Sequence, residues 1–463
     1  MKKFLSLTVI ALIALIALTT NVSAAEVSSQ AEFETALAGT DTEITLTKNV
    51  ELSKSLEIGR MVILDLNGFN ITAADGMTDD SLIIVLHGGT LIIEGNGSVS
   101  AKNSNASARI AVKMTKAGCD ISKKAELVLN SGTLEGTSFG ISGNGNPDRI
   151  NTSITISGGT VKGDTTGIYH PQEGTLTITG GTVKGSTGIE MRSGSLIVYD
   201  GTIIGTGAPT DVTANGNGTT TDGAGIAVAQ HTTEKNIDVT VIGGNVQGYS
   251  AVYESNPQSN DAIDKVTMKI EGGNFEAING GKLAIYSEDK KDFISGGTFS
   301  TDVSDYVDTD KLDVVEDEDG NIYVGTLHTI TVEKSENGKV EVDKSTAVAG
   351  QKISVKVTPD EGYKLSTIAI SYPRMGGATP GDDFEGYFIM ENDDCVVVAK
   401  FEKIEEPSEG GQGTAEKEPE KEPEKDETPK TGAFDIALYV LGAIALVSVV
   451  GTVKAKKPGK YSK

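Results

Sequence analysis

The sequence predicts a mainly β chain: a right-handed parallel β-helix followed by a small β-rich domain, framed by a signal peptide and a C-terminal transmembrane helix. Three observations carry this reading. Glycine supplies 56 of 463 residues and tryptophan none, with runs of Ile, Val and Leu recurring between the glycines. A ten-residue unit repeats through the middle of the chain, and each end carries an apolar run with lysines beside it. Glycine without a triplet period excludes a collagen, and the aliphatic runs exclude a wholly disordered chain. A net charge of −25 opposes nucleic acid as a partner, because like charge repels phosphate.

At the N-terminus Met1-Lys2-Lys3 precedes a nearly unbroken apolar run from Phe4 to Leu18. Val22-Ser23-Ala24 then supplies the small-x-small pattern of a secretory signal peptide, with cleavage after Ala24. Ala31 to Ala38 reads as a short helix covering the open end of the solenoid, which needs a polar terminal cover.

The middle is a repeat. The segments LVLNSGTLEG (127–136), ITISGGTVKG (154–163), LTITGGTVKG (176–185), LIVYDGTIIG (196–205), VTVIGGNVQG (239–248), MKIEGGNFEA (268–277) and FISGGTFS (293–300) align on Thr or Asn at 133, 160, 182, 202, 245, 274 and 298. The basic step is about 20–22 residues, lengthened by insertions such as Gly205–Gly223. Alternation as in Leu176-Thr-Ile178-Thr is a half-buried strand. No two-residue turn of the Asn-Gly type recurs, so these strands do not form a hairpin meander. At ~3.3 Å per residue such a unit has a perimeter of about 70 Å, enough for three short strands and three corners. Stacked at ~4.8 Å, the units place Leu, Ile and Val in inward rows and Thr and Asn in a corner column. Leu312–Val315 and Ile322–Val324, around Asp319-Gly320, read as a closing hairpin and not a calcium loop.

These units resemble the pectate-lyase-like β-helices of bacterial surface proteins and polysaccharide-degrading enzymes. The resemblance speaks for fold and leaves activity open. A galacturonase pattern would need Asn-Thr-Asp, Asp-Asp, Gly-His-Gly and Arg-Ile-Lys on successive turns. The chain offers only His87-Gly88-Gly89 and Asp148-Arg149-Ile150. His87, His170, His231 and His328 show no zinc-ligand spacing, and no metal or cofactor is implied. Cys119 and Cys395 lie far apart and read as free thiols.

Downstream, Pro359-Asp-Glu-Gly362-Tyr363 and the ending Phe388-Ile-Met390 with Val396–Phe401 resemble the divergent listerial-internalin B-repeat, a small β-grasp-like module of Gram-positive surface proteins. The resemblance implies a stalk or interaction role with no chemistry.

At the C-terminus Thr428-Pro429-Lys430-Thr431-Gly432 precedes an apolar run, Ile436 to Val453, and the lysines 454, 456, 457, 460 and 463. This arrangement resembles the cell-wall sorting signal Leu-Pro-x-Thr-Gly, with Thr428 in place of Leu. It implies that a sortase cuts between Thr431 and Gly432 and joins Thr431 to peptidoglycan. Loss of 1–24 and 432–463 removes seven bases and one acid and deepens the charge from −25 to −31.

The expected organisation is a signal peptide (1–24), an N-terminal cap (25–45), the β-helix with its hairpin (46–326), the B-repeat-like domain (327–403), a Pro/Glu/Lys-rich wall tether (404–427) and the sorting signal (428–463). In the second strand of each turn the residue after the inward Ile or Val points outward. Those residues are Ser142, Tyr169, Glu190, Ala227, Tyr253 and Tyr286. Stacking in register puts Tyr169, Tyr253 and Tyr286 on one face, a candidate strip for a host or matrix glycan or protein. The resulting expectation is a secreted, wall-anchored adhesin or ligand-binding protein that is not an enzyme. The alternatives are a polysaccharide lyase or glycoside hydrolase on the same helix, and a passive structural surface protein.

Overall fold

The computed structural model describes residues 24–208, 223–229, 234–256, 261–374, 377–380 and 386–404. The hydrophobic core of the predicted signal peptide, the tether, the sorting motif Thr428–Gly432 and the apolar run 436–453 lie outside the described residues. Among the described residues no helix is long and apolar enough to cross a membrane.

The described chain is mainly β with long parallel sheets. Strands recur three to a coil, and each pairs in parallel with its counterpart one coil on. One edge of every coil joins a nine-stranded sheet whose inward row runs Leu56, Ile83, Val112, Ile141, Ile168, Ile189, Ile226, Val252, Ile285 in unbroken register. These side chains are all buried, each burial being worth roughly 1.5–3 kcal/mol. The other two edges join one 20-stranded sheet, because Gly174–Gly185 and Gly194–Gly205 run straight through the corner between them.

That corner shows why the repeat has its sequence. The Thr/Asn positions pair coil to coil as Asn70, Ser98, Thr133, Thr160, Thr182, Thr202, Asn245, Asn274 and Thr298. Side chains bond along the column, Ser98 Oγ donating to Asn70 Oδ1 (2.7 Å) and Asn274 Nδ2 to Asn245 Oδ1 (2.9 Å). Just before this column the chain must be bare. Gly159 sits at φ +68°, and a Cβ there would lie 2.5 Å from the Gly132 carbonyl of the previous coil.

The ladder starts before residue 46, inside the segment expected to be cap. Ala24–Val27 pairs in parallel with Glu43–Leu46, and the helix Gln30–Ala38 bridges the two. Four residues are too short for their alternation to stand out in sequence. Ser29 caps the helix, and its Phe33 is fully buried over the first coils. At the far end Asp313–Glu316 and Ile322–Gly325 form the antiparallel hairpin, which pairs antiparallel with Gly297–Phe299 and ends the parallel ladder. Asp317 accepts from the backbone N–H of Asp319 and Asn321 and from the Tyr323 hydroxyl, which ties the turn.

From His328 a second hydrophobic core forms around Ile330, Ile353, Ile368, Ile370, Met390 and Val397. The first strand, His328–Val332, lies parallel to the last, Cys395–Lys403. Cys395–Lys403 also pairs antiparallel with Tyr363–Tyr372. Among the described residues this domain holds strands only, without the helix a full β-grasp carries. Pro359–Tyr363 is a tight turn: Tyr363 N donates to Asp360 O (3.0 Å) and Gly362 takes φ +83°. Both cysteines are free thiols.

Candidate functional site

The outward row of the nine-stranded sheet has the register that strand parity requires. Ser142, Tyr169, Glu190, Ala227, Tyr253 and Tyr286 pair in sequence across six coils. The three tyrosines do not form one strip, however. Tyr253 and Tyr286 are adjacent and stacked, with ring centroids 4.8 Å apart at 20°. Tyr169 lies three coils from Tyr253, with Glu190 and Ala227 between them at 1% and 0% exposure. It stacks instead on Phe139 of the previous coil (5.2 Å), with the Arg192 guanidinium 6.0 Å from its ring. Burial pushes the Tyr169 phenol up to about 12.

Beside Tyr169 lies a buried polar cluster that sequence reasoning did not single out. Glu190 and Arg192 form an ion pair, each only 1% exposed. Breaking such a pair from one side costs about 3–5 kcal/mol, because the other charge stays buried. His170 ends the strand Thr166–His170, level with Met191 of the next coil. Its Nδ1 is 3.0 Å from the Ser193 carbonyl, and its Nε2 has no hydrogen-bond partner among the described residues. Burial lowers its pKa to about 4, so the ring is neutral. Gln172 donates to Thr152 Oγ1 (3.3 Å). Its amide oxygen fills the space where a Cβ on Gly143 would stand. The geometry suits a rigid internal brace. Two residues apart, Glu190 and Arg192 were the one signal available in sequence.

Two coils further, Glu254 is buried at the end of Ser250–Ser255. Its Oε2 accepts from Ser287 Oγ (2.6 Å), Glu288 N (3.1 Å) and Asp289 N (3.4 Å), pinning the corner beyond Tyr286. Burial raises its pKa. Tyr253 and Tyr286 are therefore held on a fixed backbone and present partly open ring surface. Among the described residues no three His, Cys, Asp or Glu side chains are grouped to hold a metal ion. Ala24, the predicted cleavage residue, opens the first strand, opposite Glu43.

The family model of the divergent InlB B-repeat domain matches residues 328–405. Such domains are typical of bacterial surface proteins. The matched segment begins at the first strand of the second core. No curated protein gives a significant match to the chain, and no solved structure does.

Proposed function

We propose that the chain is a secreted, wall-anchored surface protein of a Gram-positive bacterium that presents a right-handed parallel β-helix and works by binding, not by catalysis. The observation that carries this reading is the B-repeat match at 328–405, lying between the stacked coils and the Pro/Glu/Lys-rich segment. In this reading the signal peptide is cut after Ala24. A sortase then transfers the Thr431 carbonyl from Gly432 to a peptidoglycan amine, and residues 404–427 thread the wall. Tyr253 and Tyr286 provide the contact surface on the coils. Glycoside hydrolysis needs two carboxyl groups flanking an accessible bond, about 5–9.5 Å apart. Glu190 and Glu254, on the strands that carry the tyrosine row, are enclosed and unavailable for such a role, whereas Glu288 beside Tyr253 and Tyr286 is exposed.

Mass spectrometry of muramidase-released wall fragments tests the anchor. The expected C-terminal peptide ends at Thr431 linked to a peptidoglycan stem. A peptide continuing through Gly432 in mature wall material would overturn it. An array of glycans and matrix proteins tests adhesion, with Tyr253→Ala/Tyr286→Ala expected to lose signal on any ligand bound by the tyrosine face. Release of reducing or unsaturated sugar from acidic polysaccharides would restore the enzymatic alternative.

A further inference from the structure

A groove of 580 Å³ lies along the glycine corner of the last coils and ends against the small domain. This volume is within the range of about 300–1,000 Å³ typical of small-molecule sites. Its rim carries Asp200, Asn245, Glu271, Asn274 and Thr298 from successive coils and Asn392 from the domain. At ~4.8 Å per coil these groups recur along a line of about 14 Å. The floor is glycine: Gly244, Gly273 and Gly297 all take positive φ, so no side chain separates a ligand from the backbone.

The hydrogen-bonding capacity left over defines the ligand. The floor's backbone is engaged in coil stacking, Asn274 N donating to Gly244 O and Thr298 N to Gly273 O, both at 2.9 Å. A peptide strand therefore has no backbone edge to join here. The side chains keep spare valence. Asn245 uses its oxygen to accept from Asn274, which leaves its N–H groups and the Asn274 carbonyl oxygen to face solvent. Asn392 Oδ1 meets His328 Nε2 at 3.0 Å, leaving its N–H groups outward. Asp200 accepts from Gly201 N with Oδ1 (2.7 Å) and presents Oδ2. Donors and acceptors thus alternate along the groove, with two carboxylates and no Lys, Arg or His in the lining. Anionic polymers are repelled, and extended apolar chains find no matching wall. A hydroxyl group donates and accepts at once, so a neutral polyhydroxylated chain satisfies this pattern.

We propose that this groove is a binding site for a neutral oligosaccharide lying along the coil axis. The inference deepens the surface-binding reading and rests on it for its biological setting, whereas binding in solution needs no wall anchor. The full chain, purified in detergent, would be titrated with cellotetraose, mannotetraose and N-acetylchitotetraose, with tetragalacturonate as the anionic comparator. At least one neutral tetrasaccharide is expected to bind and the anionic one to bind more weakly. Asn245→Ala/Asn274→Ala removes two hydrogen-bonding groups and should weaken that binding about ten-fold. Asp200→Ala, at an exposed side chain outside the Asn column, should also weaken it while leaving circular dichroism unchanged. Tyr253→Ala should leave it as it was. The proposal is overturned if no neutral tetrasaccharide binds, if tetragalacturonate binds equally well, or if the groove variants leave affinity intact. Loss on Tyr253→Ala alone would move the sugar to the tyrosine face, refuting the groove while keeping the surface-binding reading.

Discussion

His170 should make the fold sensitive to mild acid. The ring is fully buried, its Nδ1 faces the Ser193 carbonyl, and its Nε2 has no acceptor among the described residues to share a proton with. Its pKa falls from 6.5 to about 4 by burial. Between those values the unfolded chain binds a proton that the folded chain refuses, so stability declines as pH falls through 6.5 and the decline ends near pH 4. At 1.36 kcal/mol per pKa unit the whole window is worth about 3 kcal/mol. His170→Gln keeps a side-chain N–H for the Ser193 carbonyl and removes the titration. Urea melts of residues 24–404 at pH 7.5, 6.0 and 4.5, run on both proteins, isolate the histidine from the carboxylates they share. The parent should lose about 3 kcal/mol more than the variant across this range. Parallel loss in the two proteins would refute the reasoning.

Two further outcomes are expected. Gly159→Ala places a methyl 2.5 Å from the Gly132 carbonyl at φ +68°, whereas Gly76, at φ +80°, has nothing within 4 Å of the same added carbon. Alanine at 76 should cost about 1 kcal/mol of backbone strain, and alanine at 159 clearly more, as read by thermal melting or proteolysis. Cys395 is 1% exposed, and burial, with Asp394 and Asp393 beside it, pushes its thiol up to about 11. Iodoacetamide at pH 8 should therefore label only the more open Cys119 in the folded protein, and both thiols after unfolding, as counted by intact mass.

The coil architecture was legible because one residue type recurs at one geometric position. Thr160, Thr182 and Thr202 align by eye, and the same three pair in the ladder. The outward row was legible by parity, since a period of two assigns every side chain to a face. Parity gives direction and says nothing of cover. Glu190 and Ala227 do occupy the outward row, yet both are buried, and this divides the tyrosines into a packed one and a stacked pair. The groove was hidden for a related reason. Its glycines were plain in sequence, but the wall supplied by Asn392 comes from a segment some 90 residues beyond Thr298. No local pattern relates those two positions.

The corner column has one more property. From Thr182 to Thr202 the chain takes 20 residues, and from Thr202 to Asn245 it takes 43, yet Thr202 still faces Asn245 in the next coil. Register is thus decoupled from contour length at this point. A coil is defined by where its chain returns, not by how far it travels between visits. The stretch between Ala208 and Gly223, beyond the bonds that Thr206 and Gly207 make to Gly185 and Ser186 of the previous coil, is consequently a natural cloning site. Epitopes, tags or small folded domains inserted there should be carried on a rigid axis without disturbing the stack, whereas one residue added within Thr182–Gly185 would reverse the facing of every side chain after it in that strand.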